Sequence, residues 1–552
     1  MISPYSPAKP PRVTIGLPVY NGEKTLAAAL DSLLLQTFDA FSIIISDNGS
    51  TDATPEICKR YASAHPNITW HRQPLKLSIL KNFHFCLSAA RTEYFMWLAA
   101  DDEIAAEFIA RHSAFLDANP DYVSSQSRVL FHTDFVPVCF SNGTFALKGN
   151  MRQNVASYLA TASDNCRFYG LFRTRALQEA YLALDLFSFD WVIMVQTLLH
   201  GKQNEIDDVL MLRDATPPEN YQLSFDAGQP SRLERIFPLT TTSRYLLQHH
   251  AIMKHPHVFY TLMKLNVLMA KYYVGYRIFT RAKTRRDNPK NHGSFRSLID
   301  FLVMTLINPD AAGVDIKFTA LRARLRRYLK TPSSHPDSIQ SRDRGWLPLP
   351  DCSAAVPDVS LVLIVKDHLR DTLRLLSTIS EAVLPQTYDV ILVDCGSRDA
   401  TPLLFRNKRD LSYVRLGSTA SFSDVAHAVV QKARSKTVLF IEPGTQLYEG
   451  ALRHLARSVG ETDMCGPVCL CTQCAVADDP SREWHGLFGV STVTLRHHLA
   501  TLADLPFGAA LAQSIVQQGG CVLRCPEAVI SRLPLSTAGS VYEPHKSISA
   551  SA

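Results

Sequence analysis

No stretch of the 552-residue chain reaches the roughly 18 unbroken apolar residues that a membrane-spanning helix needs. Residues 1–10 carry no apolar core of a secretory leader, so export is not expected. The twelve cysteines follow no regular framework, which fits a reducing cytosol better than a disulfide-held secreted chain. A large charge excess is missing too. With 57 Lys and Arg against 51 Asp and Glu, the net charge is only +6, so its distribution matters more than its total. No recognised nucleic-acid module appears, and nucleic acid is not an expected partner. What remains is an ordinary globular composition, 46% apolar and 20% charged, in a chain too long for one core. Two or three domains are expected.

The most informative stretch is Ile43-Ile44-Ile45-Ser46-Asp47-Asn48-Gly49-Ser50-Thr51-Asp52. Three β-branched residues without alternation read as a buried parallel strand. Asp47 to Ser50 supplies turn chemistry, and Thr51-Asp52 can cap a helix beginning near Pro55. In open α/β sheets ligands sit at the carboxyl ends of strands, where Asp47 falls; it can accept hydrogen bonds from a ribose or a base edge. A plain helix-capping turn explains the same residues, and this stretch alone favours neither reading.

Upstream, Val13 to Val19 is a strand running into Tyr20-Asn21-Gly22-Glu23, and Leu26, Leu30, Leu33 and Leu34 recur at helical spacing. This opening is a βαβ unit with a right-handed crossover. No glycine-rich phosphate fingerprint joins the first strand to its helix, so a dinucleotide-binding Rossmann domain is not expected. Downstream, the apolar Tyr94-Phe95-Met96-Trp97-Leu98 ends in Asp101-Asp102-Glu103. Adjacent carboxylates repel unless a cation neutralises them, and Mg²⁺ or Mn²⁺ takes carboxylate oxygens while keeping positions for substrate phosphates. A solvated loop whose acids stabilise the next helix dipole is the alternative.

In this order and spacing, Leu17-Pro18-Val19-Tyr20-Asn21-Gly22-Glu23, Asp47 to Asp52 and Asp101-Asp102 resemble family 2 glycosyltransferases of the GT-A fold over about residues 11–215. The resemblance implies an α/β, Rossmann-like nucleotide-diphospho-sugar transferase domain. Pro18, Tyr20, Glu23, Asp47 and Asp101 would bind the nucleotide sugar, and Asp101 with Asp102 would hold Mn²⁺ or Mg²⁺. The family often has an acid two residues before Asp101, where this chain has Ala99, which leaves fewer carboxylates for the metal. Phe168 to Arg173 and Phe187-Ser188-Phe189-Asp190-Trp191 also look like the family. Asp190 stands where inverting members place the general base that takes the acceptor's proton. Its alternative role is N-cap of the helix carrying Val192, Val195, Leu198 and Leu199.

Residues 240–335 switch to helical periodicity with interleaved basic and aromatic side chains, such as Lys264, Lys271, Arg277, Phe259, Tyr260 and Tyr273. Such a segment lies on an anionic membrane surface or packs as a connector with a solvated basic face. Beyond it, Val390 to Pro402, containing Asp394-Cys395-Gly396-Ser397, repeats the Asp47 stretch, and Leu361 to Lys366 repeats the first strand. Leu439-Phe440-Ile441-Glu442 stands where the two aspartates should be, and Gly508 stands at the Asp190 position. Cys465, Cys469, Cys471 and Cys474, with Cys521 and Cys525 later, lack paired zinc-ligand spacing and read as small hydrophobes.

The expected organisation is a lead (1–10), a catalytic GT-A domain (11–235), a basic helical connector (236–335), a linker (336–350), a degenerate GT-A-like domain (351–535) and a tail (536–552). The expected activity is inverting transfer from a nucleotide-diphosphate sugar to a glycan or lipid-linked acceptor in surface polysaccharide synthesis. The expected location is cytoplasmic, with peripheral attachment to the inner face of the plasma membrane. A non-catalytic sugar-binding protein and a bifunctional two-site enzyme are the rivals.

Overall fold

The computed structural model describes residues 10–215 and 237–270, most of 356–469, part of 487–495, and 522–532, with brief gaps inside these ranges. The basic segment beyond residue 270, the linker, the tail, Cys471, Cys474, Gly508 and Cys521 lie outside the described residues. Cys465 and Cys469 lie on the strand Met464–Cys469, and Cys525 on the strand Val522–Arg532.

β1 (Val13–Val19) is buried along its whole length. It pairs in parallel with β2 (Phe41–Asp47) and with β4 (Tyr94–Trp97), and β2 pairs in parallel with β3 (Ile68–Arg72). Helix α1 (Leu26–Leu34) joins the first two strands and buries Leu26, Leu30 and Leu33, the face its spacing predicts. Five more strands follow: β5 (Glu103–Ile104), β6 (Tyr122–Thr133), β7 (Val136–Phe140), β8 (Leu171–Arg173) and β9 (Lys202–Asp214). The order is β3-β2-β1-β4-β8-β6-β9-β5, with β7 attached to β6. Pairing turns antiparallel at β4–β8, so the parallel half presents its carboxyl ends beside a mixed half. A crevice at such a change of direction is where α/β sheets hold ligands.

One side of the sheet buries Leu17, Ile43, Ile45 and Leu30. The other buries Trp97, Phe168, Phe172 and Val192, with the Trp97 and Phe168 rings stacked 4.5 Å apart. Leu239, Leu246, Met253, Val258, Leu262 and Leu265 join that second cluster, so the helical residues 237–270 pack onto the first sheet.

The second sheet comprises β10 (Val359–Val365), β11 (Tyr388–Asp394), β12 (Ser412–Arg415), β13 (Thr437–Ile441), β14 (Thr445–Leu447), β15 (Met464–Cys469), β16 (Leu487–Ser491) and β17 (Val522–Arg532). Its order is β12-β11-β10-β13-β16-β15-β17-β14. Each strand occupies the place of one strand in the first sheet's path, with the same parallel or antiparallel sense. The repetition read at Asp394 therefore extends across the described sheet. The two sheets also meet: Leu130, Val209 and Leu212 share a buried cluster with Leu369, Leu403 and Phe405.

Candidate active site

Asp47 ends β2, in register with Val19 of β1 and Arg72 of β3. Its carboxylate is fully buried, and Oδ1 accepts from the Ser50 amide at 2.9 Å. Oδ2 has no hydrogen-bond partner, and the Arg72 Nε lies 3.8 Å away. A buried acceptor left unmade costs about 1–3 kcal/mol, so Oδ2 is set to meet a donor from a ligand. Gly49 follows at φ +74°, a left-handed turn that glycine adopts without strain, and an added Cβ would find only the Gln73 carbonyl, 3.9 Å away. The turn is open on that side.

The first loop is laced to this turn. Asn21, itself at φ 53°, donates its amide to Ser50 Oγ and accepts from the Thr51 amide, both at 2.9 Å. Gly22 donates to Thr54 Oγ1, Glu23 donates its amide to Asp52, and the Ala53 amide donates to the Glu23 carboxylate. Ala53 is the N-cap of α2 (Thr54–Ala64), while Asp52 accepts from the Thr54 amide at 3.0 Å. Pro18 is buried in β1, and Tyr20 stands 43% exposed at the rim with Lys76 Nζ 3.6 Å from its ring centre. Glu23 thus braces the first loop against the Asp47 turn, with Pro18 in the strand that leads into that loop and Tyr20 exposed beside it.

Asp101 is exposed, whereas Asp102 is buried and ion-paired with Arg213 Nε at 2.9 Å. Burial is the largest influence on Asp102 and pushes its carboxyl up to about 7, against the pull of Arg213. Arg213 is the penultimate residue of β9 and lies 4.2 Å from the Tyr169 ring centre. Burial raises the Tyr169 phenol most, Arg213 opposes this, and the charges of Asp102, Asp101 and Asp190 raise it further, so these groups form one electrostatic neighbourhood. Among the described residues no group of three or more His, Cys, Asp or Glu converges into a metal cage. The chemistry here suits Mg²⁺ or Mn²⁺, which take one or two carboxylates and leave the rest to substrate phosphates. Asp101 is the exposed member of the pair.

Asp190 lies in the first turn of α7 (Phe189–Thr197), whose N-cap is Ser188 at φ 61°. Asn165, at φ 49°, accepts from the Tyr158 hydroxyl and donates to Asp190 Oδ2, both at 2.8 Å. Left-handed non-glycine residues cost energy and cluster where side chains must be aimed. Burial raises the Asp190 carboxyl above its usual value, outweighing the donors from Asn165 and the Trp191 amide. A raised carboxylate is a better proton acceptor.

In the second sheet, Asp394 repeats the Asp47 turn. Its Oδ1 accepts from the Ser397 amide at 2.7 Å, and Asp367 at φ 60° replaces Asn21. There the likeness ends, because Asp394 Oδ2 accepts from the Tyr413 hydroxyl and from Arg415 Nη1 at 2.9 Å. Tyr413 and Arg415 occupy the register positions of Trp70 and Arg72. Gly396 keeps the left-handed turn at φ +81°, but an added Cβ would meet the Ser418 backbone at 2.7 Å. The space open beside Gly49 is filled here by the chain itself.

Residues 14–180 match the family "Glycosyl transferase family 2". Those residues make up a family 2 glycosyltransferase domain. Glycosyltransferase relatives agree: the putative glycosyltransferase EpsE of Bacillus subtilis is 24% identical over 190 residues, covering 32% of this chain and 67% of that protein. Glycosyltransferase GlyA of Streptococcus pneumoniae is 32% identical over 99 residues, covering 18% of this chain and 14% of that one. This chain therefore spans about two thirds of EpsE and a small part of GlyA. Among solved structures, S. aureus TarS 1-349 with UDP-GlcNAc is 18% identical, with 48% and 83% of the chains covered and a TM-score of 0.33. The mannosyltransferase PcManGT from Pyrobaculum calidifontis with GDP-Man and Mn²⁺ is 17% identical, with 59% and 90% covered and a TM-score of 0.36.

Two residues of the candidate site escaped the sequence reading. Arg213 follows the apolar Val209 to Leu212 run, so the strand-end logic that singled out Asp47 applies to it equally. Asn165 carries no local signal, because its role depends on a left-handed backbone and on partners from two helices.

Proposed function

We propose that the protein is an inverting glycosyltransferase that moves a sugar from a nucleotide-diphosphate donor to a glycan or lipid-linked acceptor in surface polysaccharide synthesis. The observation that supports this most is the unmet, buried Asp47 Oδ2 at the carboxyl end of β2, in the same sheet as β4, after which exposed Asp101 follows. Asp47 takes a donor group from the nucleoside, and Tyr20 covers the crevice rim. Asp101, with Asp102 behind it, holds Mn²⁺ or Mg²⁺, which supplies charge stabilisation for the departing diphosphate. Asp190 accepts the acceptor hydroxyl's proton as its oxygen attacks the anomeric carbon and the bond from that carbon to the diphosphate breaks. Arg213 fixes the Asp102 carboxylate from the side away from solvent.

A screen of nucleotide sugars for donor hydrolysis with added Mn²⁺ tests this reading. Turnover of one donor or a related set is expected, and silence across the set with a range of glycan acceptors overturns it.

The second domain reads as non-catalytic, because both oxygens of Asp394 are already bonded within the protein. The paired aspartates therefore have opposite readouts. Asp47→Asn lowers nucleotide affinity about 10- to 100-fold, as loss of a charged hydrogen bond implies, and moves the melting temperature little. Asp394→Asn leaves nucleotide affinity alone and costs about 2 kcal/mol of stability, a figure kept low because Arg415 is 45% exposed. Calorimetry with nucleoside diphosphates, alongside thermal melts, checks both; two nucleotide sites per chain would refute the assignment.

No helix among the described residues is long and apolar enough to cross a membrane. Attachment at the inner face of the plasma membrane is supported by Phe259, Tyr260, Val267 and Leu268, which are exposed on the helical segment that also carries Lys264. The protein is expected to sediment with anionic vesicles at low salt and to leave them as salt rises, since screening acts over about 10 Å at 0.1 M. Absence of low-salt binding would favour the connector role.

A further inference from the structure

Helix α4 (Phe108–Ala118) follows the acidic turn, and between the two lie β5 and Glu107. Glu103 is buried within β5 and immediately follows Asp102. Its carboxylate accepts from Arg406 Nη2, which comes from the end of the second domain's helix Thr401–Phe405. Arg398 Nη1 lies 3.3 Å from Glu107 Oε1, and the Ala400 amide donates to the Val209 carbonyl at 2.8 Å. Val209 belongs to β9, whose Leu212 is in register with Glu103 and whose next residue is Arg213. Residues 398–406 thus grip β5, which Asp102 immediately precedes, and β9, which carries Arg213.

They do so from a turn bonded in the same way as the Asp47 turn. Ser397 donates to Asp394, Arg398 and Asp399 donate their amides to Asp367, and Thr401 donates to Asp399. These bonds make the turn rigid and leave its outer residues, Arg398, Ala400 and Arg406, for the neighbouring domain. We propose that the Asp394 turn of the second domain has become a positioning element for the first domain's acidic motif, with Arg406 as its principal residue. This rests on the reading of Asp101 and Asp102 as the metal-binding acids. Arg406 touches neither donor nor cation. It fixes Glu103, and so sets where the preceding two carboxylates stand relative to Arg213.

The test uses the full chain, with Mn²⁺ affinity read from the electron paramagnetic resonance of the free ion in the presence of UDP or GDP, and with melting temperature in parallel. Arg406→Met is expected to weaken Mn²⁺ binding at least tenfold, and Arg406→Lys to recover part of it. If Arg406→Met folds poorly, the double variant Glu103→Gln with Arg406→Met removes the unpaired buried carboxylate. It should regain the melting temperature without regaining Mn²⁺ affinity, because an amide and a thioether do not rebuild the grip. Mn²⁺ affinity within twofold of wild type in Arg406→Met, or its full return in the double variant, overturns the proposal. Wild-type protein that binds no Mn²⁺ with either nucleotide overturns the metal reading itself, and the positioning role with it.

Discussion

Asp101→Ala is expected to reduce sugar transfer at least about a thousandfold, and EDTA is expected to silence the wild type with reversal by Mn²⁺. The size follows from charge. A cation at a departing diphosphate contributes several kcal/mol, and each 1.36 kcal/mol is about a factor of ten in rate. The chain has little to put in its place: Ala99 stands where a further acid is common, Asp102 is committed to Arg213, and Glu103 to Arg406. Steady-state transfer with and without chelator decides the matter, and full activity in EDTA would end the metal-dependent reading.

Asp190→Asn preserves shape and removes the proton acceptor, so turnover should fall about 10²- to 10⁴-fold while donor affinity stays within a few-fold. In the wild type the dependence on pH has a definite sign. Burial raises the Asp190 carboxyl, so the ionised, working form is lost as pH falls through a value above the ordinary aspartate range. The rate should therefore rise with pH through that value and then level, and the residual rate of Asp190→Asn should lack this limb. Asn165→Ala removes the donor that stabilises the ionised carboxylate against the effect of burial, and should move the limb to higher pH. A flat profile in the wild type, or a limb that survives in Asp190→Asn, would show that the proton goes elsewhere.

How much of this was legible in the chain depended on how local the cause was. The Asp47 turn was plain because a β-branched run, an Asx residue and a glycine lie within seven positions, and each restricts the backbone by itself. The repeat at Asp394 was visible for the same reason, and the main paths of the two described sheets follow corresponding strand orders. The sequence also located Asp101 and Asp102 as neighbours, but it could not separate their surroundings. One is exposed and the other is buried against an arginine from a strand far along the chain. Likewise Asp190 was weighed as a helix cap, yet Ser188 holds that position and Asp190 sits in the first turn, held by Asn165. Contacts between distant segments, including every one made by Arg406, leave no periodicity to read.

The Ser418 backbone against Gly396 has a kinetic meaning as well as a steric one. A segment tethered a few residues from its own binding surface competes at millimolar effective concentration, and it never diffuses away. Lys366 Nζ reinforces it by donating to the Ser418 carbonyl at 2.9 Å. A free nucleotide arriving at the second sheet would have to displace an occupant that re-forms its contacts in far less than a microsecond, the closure time of a short loop being about 10–100 ns. On the proposed reading, a chain with two similar turns would then hold one nucleotide sugar per molecule, at the first sheet, where the acidic motif and Asp190 also lie.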